Sequence, residues 1–217
     1  MTVRGPRGAV FENVDLEVPP GGLLVVQGHG GSGRTALLLA LAGRMRFVSG
    51  AIRVGGHTLP GAAHRVRKVV GVARAEPAVD WEGRLRVAEV IAERRWIGRL
   101  AQRQIRAALE VVGVEPPERA LVEDLEPPTA LLLAVGLTLA EYPGALVVDD
   151  VERGCTLDQR LVVWEALERV RGTGCTVLAG TTEPAWPVAD PVVVELPRHS
   201  AGELPPATTD SGTEASP

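Results

Sequence analysis

Eight consecutive residues, Gly28-His29-Gly30-Gly31-Ser32-Gly33-Arg34-Thr35, combine the residue types that grip a phosphate. Gly30, Gly31 and Gly33 accept positive φ angles, which lets successive backbone N–H groups converge on one anion. Thr35 is placed to offer its hydroxyl to a Mg²⁺ ion. Position 34 ordinarily carries a lysine in such a loop and here carries arginine, a planar fork in place of a compact ammonium. A second chemical feature is the carboxylate pair Asp149-Asp150, delivered by the apolar run 145–148 to the end of a buried strand. The carboxyl edge of a parallel sheet is where ligands sit in open α/β folds.

The loop needs a strand before it and a helix after it, so that the helix N-terminus faces the anion. Residues 23–26 read as a buried parallel strand and residues 35–44 as an Ala/Leu-rich helix. Ahead of them, 10–18 alternates apolar and polar residues like a half-buried antiparallel strand, turned by Pro19-Pro20-Gly21-Gly22. Further strands are expected at 51–54, 68–73, 176–179 and 191–196. The spacing of Ile105, Leu109 and Val112 predicts helix across 85–112, closed by Glu115-Pro116-Pro117. The run 129–141 is so apolar that its helix must be buried on several sides. A helix over 158–171 takes Asp158 as its expected N-cap. Residues 197–217 are Pro, Ser, Thr, Gly and Glu with almost no apolar content, and read as a disordered tail.

A chain of 217 residues suits one domain, or one domain with a small subdomain. Its net charge of −4 argues against a general nucleic-acid binder, and the arginines clustered over 84–106 read as a solvated helical face offset by Glu89 and Glu93. Two cysteines, Cys155 and Cys175, lack metal-ligand spacing and fit a reducing, cytoplasmic setting as packing residues. The opening residues do not form a secretory signal. The longest apolar stretch, 130–140, falls short of the roughly 20 residues that span a bilayer, so membrane association is expected through a partner.

The order of these pieces resembles the nucleotide-binding subunit of ATP-binding cassette (ABC) transporters over roughly residues 9–196. Phe11-Glu12-Asn13-Val14-Asp15-Leu16-Glu17-Val18-Pro19-Pro20-Gly21 is similar to that family's opening strand and turn, and Ser49-Gly50-Ala51-Ile52-Arg53-Val54-Gly55-Gly56 to its strand after the first helix. Residues 125–143 match its signature motif and following helix, and Leu146-Val147-Val148-Asp149-Asp150 its Walker B strand. The resemblance implies an α/β fold: a P-loop NTPase core with a parallel sheet, an antiparallel β subdomain and a small helical subdomain at about 84–142, within a domain of residues 1–196. It also implies ATP and Mg²⁺ as cofactors, the ion held by Thr35 and Asp149 and the nucleotide by residues 28–35. The implied partners are a multispanning membrane subunit and a second cassette, in a homo- or heterodimer, with the chain peripheral at the inner face of the cell membrane.

Several functional positions of that family are occupied differently here. Asp150 stands at the catalytic glutamate, one methylene shorter, as the candidate base. The signature, usually of the Leu-Ser-Gly-Gly-Gln type, reads Leu125-Glu126-Pro127-Pro128-Thr129. Its two prolines lack the N–H groups that would face phosphate, Glu126 would repel it, and yet both prolines suit a helix's first turn. Ala75 stands at the glutamine that links the site to the membrane subunit, Thr182 at the histidine that steadies the γ-phosphate, and Thr156 at the aspartate after Walker B. His29 replaces a loop proline. The adenine-stacking aromatic maps near Gly5, with Phe11 the nearest ring. Two readings follow: an ATP-binding transporter subunit that hydrolyses ATP weakly or not at all, and a structural or regulatory pseudoenzyme without nucleotide dependence. A P-loop NTPase outside transport is a third.

Overall fold

Five runs rich in Val, Leu and Ala carry no charge in their interiors, the pattern of strands covered on both faces, and they align as one parallel sheet. The computed structural model describes residues 3–5, 8–11, 14, 16–46, 49–183 and 188–197. The chain opens with β1 (Val3–Gly5) and β2 (Gly8–Phe11), an antiparallel pair, followed by β3 (Leu23–Gln27) and α1 (Arg34–Leu41). A second antiparallel pair, β4 (Ile52–Val54) and β5 (His57–Leu59), leads through α2 (Ala63–Val69) into β6 (Val70–Arg74). Three helices, α3 (Val87–Gly98), α4 (Gln102–Val112) and α5 (Pro127–Leu139), separate β6 from β7 (Ala145–Val148). Then come α6 (Leu157–Gly172), β8 (Thr176–Thr181) and β9 (Val192–Glu195). The sheet order is β6-β7-β8-β3-β9.

Alternation along each strand divides the core in two. Leu23, Val25, Leu146, Val148, Val177 and Ala179 face α4, α5 and α6, whereas Leu24, Val26, Val70, Val147 and Leu178 face α1 and α2. Burying each such Leu or Val contributes about 1.5–3 kcal/mol. α5 is buried from 131 to 139, where Gly136 lets α4 approach closely: an added Cβ would meet Leu109 Cδ2 at 2.8 Å and Val112 Cγ2 at 3.1 Å. Register places Gln27 beside Thr181, and Val148 between Arg74 and Ala179, so the carboxyl ends of four strands meet at one edge.

The structure departs from the sequence expectations at several points. The helix expected over 85–112 is two helices, broken at Arg99, which adopts φ 52°. A glycine would normally advertise such a left-handed cap, and an arginine does not. Lys68 and Val69 end a helix rather than begin a strand, and β5 was not anticipated from its mixed residues. Of the alternating stretch 10–18, only Val10 and Phe11 lie in a strand among the described residues. Asp158 is not the N-cap of α6; it sits in the first turn, and Thr156 caps, accepting from Gln159 N at 3.3 Å while Gln159 Oε1 accepts from Thr156 N at 3.0 Å. The tail expected to be disordered lies, from 198 onward, outside the described residues.

Candidate nucleotide site

The glycine loop joins β3 to α1 at the carboxyl edge of the sheet. Gly28 N donates to the Thr181 carbonyl at 3.1 Å, which ties the loop's start to the end of β8. No side chain fits there, since a Cβ would stand 2.5 Å from Ser32 Oγ and 3.0 Å from the Leu196 carbonyl. Gly31 and Gly33 take φ 80° and 96°, and Gly33 opens α1, its carbonyl accepting from Leu37 N at 2.9 Å. Gly30 is absent from the positive-φ set, so only two of the three expected glycines use that freedom. His29, Gly30 and Gly31 are exposed at the rim, and the His29 carbonyl accepts from Ser32 N at 3.1 Å.

Two buried polar atoms of the loop have no hydrogen-bond partner: Ser32 Oγ, and Arg34 Nε, which has only the Asp149 carboxylate at 3.9 Å. Their residues are only 1% and 7% exposed. An unpaired buried hydroxyl or guanidinium nitrogen costs about 1–3 kcal/mol, which a bound anion would recover. These orphans, with a helix N-terminus behind them, fit a phosphate-bearing ligand.

Arg34, Thr35, Asp149 and Asp150 converge below the loop. Thr35 Oγ1 donates to Asp149 Oδ2, and Asp150 N donates to Asp149 Oδ1 at 2.9 Å. Asp149 is 2% exposed and packs so tightly on Gly180 that a Cβ there would overlap its carboxylate. Burial raises its pKa above the ordinary aspartate value, the negative charge of Asp150 adding to the rise while Thr35, the Asp150 N–H and Arg34 oppose it. Arg34 does not extend freely. Its Nη1 donates to the Gly28 carbonyl and its Nη2 pairs with Asp150 Oδ1, with Nε 3.9 Å from Asp149 Oδ1. Asp150 itself holds φ 48°, a left-handed conformation that a non-glycine residue adopts at some cost.

Other positions of the sequence analysis fall around this centre. Pro127 and Pro128 form the first turn of α5, with Glu126 at its N-cap position. That segment lies against the first turn of α6, where Gln159 Nε2 reaches Glu126 Oε2 at 3.4 Å. Ala75 is fully buried, its backbone bridged to Val79. Thr182 donates its N–H and its hydroxyl to Glu152 Oε1, the latter at 2.6 Å. The side chain of Phe11 lies outside those described. Two residues were not singled out from sequence. Arg74, ending β6, donates through Nη2 to the Asp150 carbonyl and through Nε to the Asp149 carbonyl at 3.4 Å. Glu152 is 8% exposed with Oε2 unpartnered. A lone charge closing an otherwise apolar strand was the available signal for Arg74; Glu152 carried none.

Comparison with known proteins identifies the family. The model of the ABC transporter family matches residues 11–149, well over half of the chain. The chain belongs to the ABC transporter family. Among curated ABC proteins it is 31% identical over 179 residues to the Nod factor export ATP-binding protein I of Cupriavidus metallidurans, covering 79% of this chain and 57% of that one. It is 28% identical to the daunorubicin resistance ATP-binding protein DrrA3 of Streptomyces coeruleorubidus, covering 85% and 60%. The chain thus spans a little over half the length of the curated relatives it matches. Solved ABC cassettes share its fold: cbiO1 from Clostridium perfringens superposes with a TM-score of 0.72 at 16% identity over 84% of this chain and 76% of that one. The dimeric cassette MJ0796 does so with a TM-score of 0.70 at 15% identity over 90% of both. The described part of this ABC chain contains no helix long and apolar enough to cross a membrane.

Proposed function

We propose that this chain is an ATP-binding subunit that takes up Mg-ATP at residues 28–35 and hydrolyses it weakly or not at all. The observation that carries this reading is the state of the loop. Its glycine geometry and its buried, unpartnered Ser32 Oγ are arranged for phosphate, while Arg34 is spent on Asp150. Thr35 and Asp149, already in contact, are the pair that would hold Mg²⁺, which when bound neutralises phosphate charge. The N–H groups at the start of α1 would face the phosphates. Asp150 is the candidate base, but its carboxylate is held by Arg34 and is not free to orient water. The prolines at 127 and 128 remove two N–H donors from the segment that resembles the family's signature.

The relatives' names speak of export and drug resistance, and the fold neighbour MJ0796 is dimeric. By analogy we propose that this chain works beside a second cassette and beneath a membrane subunit, at the inner face of the cell membrane. Exposed Trp96 and Ile97 on α3, next to a cleft of about 430 Å³ lined by Trp81, Leu85 and Arg94, support contact with such a partner. The Arg34–Asp150 pair, which fills the loop with the protein's own charge, favours a second reading: a pseudoenzyme module without nucleotide dependence. Thermal denaturation separates them. Millimolar Mg-ATP is expected to raise the melting temperature of the wild-type chain and not that of Gly33→Val, which cannot adopt the loop geometry. Equal behaviour of the two proteins leaves the pseudoenzyme reading standing.

A further inference from the structure

Asp150 is gripped twice by arginines from different elements. Arg34 reaches its carboxylate from the first residue of α1, and Arg74 reaches its main-chain carbonyl from the end of β6. Arg74 also spans the Asp149 carbonyl, with Nε and Nη2 both at 3.4 Å. Between these two grips Asp150 sits at φ 48°, and its N–H is taken by Asp149 Oδ1 at 2.9 Å. Backbone donor, backbone acceptor and side chain of one residue are therefore all engaged. The other end of the Arg34 fork is fixed on the Gly28 carbonyl, so the guanidinium lies across the base of the loop. Such a residue held in a sparsely populated conformation from several sides points to a constraint with a role.

We propose that Arg74 is a positioning residue which, with Arg34, clamps Asp150 against the phosphate loop, so that the loop is closed on itself until a polyphosphate displaces the Arg34–Asp150 pair. The inference rests on the reading of residues 28–35 as a nucleotide site and adds its regulation. Arg74, together with the Arg153 N–H at 3.1 Å, fixes the carbonyl and with it the left-handed turn that aims the carboxylate at Arg34. A guanidinium spans two acceptors in a fixed planar fork, as Arg34 does here with Gly28 and Asp150, where a lysine would be a point charge on a flexible stem. An incoming phosphate offers the Arg34 fork two oxygens of one group, with more charge than the single Asp150 oxygen it now holds. Nucleotide entry and release of the Asp150 carboxylate are then one event.

The test is Mg-ATP affinity, measured by isothermal calorimetry on the full chain in a two-residue cycle, with melting temperatures recorded for every variant. Asp150→Asn is expected to bind Mg-ATP at least about tenfold more tightly than wild type, because binding no longer has to break an ion pair. In an Arg34→Met background the same Asp150→Asn change is expected to gain little, although Arg34→Met itself binds more weakly. A gain of equal size in both backgrounds would mean that only the repulsion between Asp150 and phosphate had been removed, and overturns the clamp. Arg74→Leu is expected to give about a threefold gain by loosening the carbonyl, which then keeps only the Arg153 N–H, and Arg74→Lys, which restores a cationic donor, to return affinity to the wild-type value. A purely structural role for Arg74 would lower stability and leave affinity unchanged or weaker in both variants, which refutes its positioning role. Should Arg74→Leu not fold, the Arg34/Asp150 cycle still decides. Absence of Mg-ATP binding by wild type and by Asp150→Asn alike overturns the nucleotide reading itself, and the clamp with it.

Discussion

Replacing Gly180 by alanine tests how tightly the Asp149 carboxylate is built into the edge of the sheet. Gly180 lies in β8 with ordinary strand geometry, so the substitution introduces no backbone strain, only a methyl group. That methyl would overlap Asp149 Oδ1 and stand 3.0 Å from both Asp149 Cγ and Leu38 Cδ1. The carboxylate has nowhere to retreat: it is 2% exposed, one oxygen is held by Thr35 Oγ1 and the other by Asp150 N. Overpacking of this kind costs about 1–3 kcal/mol, offset by at most about 1 kcal/mol from the reduced freedom of the unfolded chain. At about 2–4 °C per kcal/mol for a domain of this size, a net loss near 2 kcal/mol lowers the melting temperature by about 4–8 °C. Circular dichroism melts check it, with Gly30→Ala as the control. A Cβ at Gly30 meets nothing within 4 Å, so that variant is expected to shift by no more than about 0.5 kcal/mol. Melting temperatures for Gly180→Ala and Gly30→Ala that agree within error would refute the packing argument at Asp149.

Other consequences are independent of that contact. Thr156→Ala removes the hydroxyl that caps α6 by accepting from Gln159 N, while the backbone bond to Gln159 Oε1 stays, and is expected to cost about 1 kcal/mol in urea unfolding; an unchanged midpoint would show that the cap is redundant. Burial pushes the Cys175 thiol up to about 11 and also raises that of Cys155, so neither is expected to react with a disulfide reagent at pH 8 in the native chain, whereas both react in guanidinium. Because the folded Cys175 pKa lies above its unfolded value, its contribution to stability is complete below about pH 9 and is lost as pH rises toward 11; a Cys175→Ala variant is expected to lack that alkaline loss. The same sign applies to Asp149, whose folded pKa is raised mainly by burial: its ionised form burdens the metal-free fold near neutral pH and the burden vanishes in acid. Asp149→Asn in EDTA is therefore expected to exceed wild type in stability at pH 7–8, the difference closing toward pH 4, and a difference that widens in acid would contradict the assignment.

The sheet and the loop were readable because their signals are local. The continuous apolar runs at 23–26 and 145–148, and the glycines at 31 and 33, are local signals, and the strands β3 and β7 and the positive φ angles fall on them. Pro127 and Pro128 likewise declared a helix start through their missing N–H groups. What escaped the sequence was set by tertiary contact. Arg99 ends α3 in a left-handed conformation without the glycine that usually marks one, so the break between α3 and α4 carried no flag. Thr156 rather than Asp158 caps α6 because the reciprocal bond with Gln159 favours the earlier residue. Above all, the pairing of Arg34 with Asp150 and the grip of Arg74 on the Asp150 carbonyl join residues far apart in the chain, and residue type alone does not reveal such partners.

The central claim, binding without appreciable turnover, is met most directly by incubating the chain with radiolabelled Mg-ATP, isolating the complex, quenching it in acid and determining the bound nucleotide. The account predicts that nucleotide is retained and is recovered as ATP. Phosphate release at about 1 s⁻¹ or faster, the ordinary range for enzymes, would contradict it, and so would a complex from which no nucleotide is recovered.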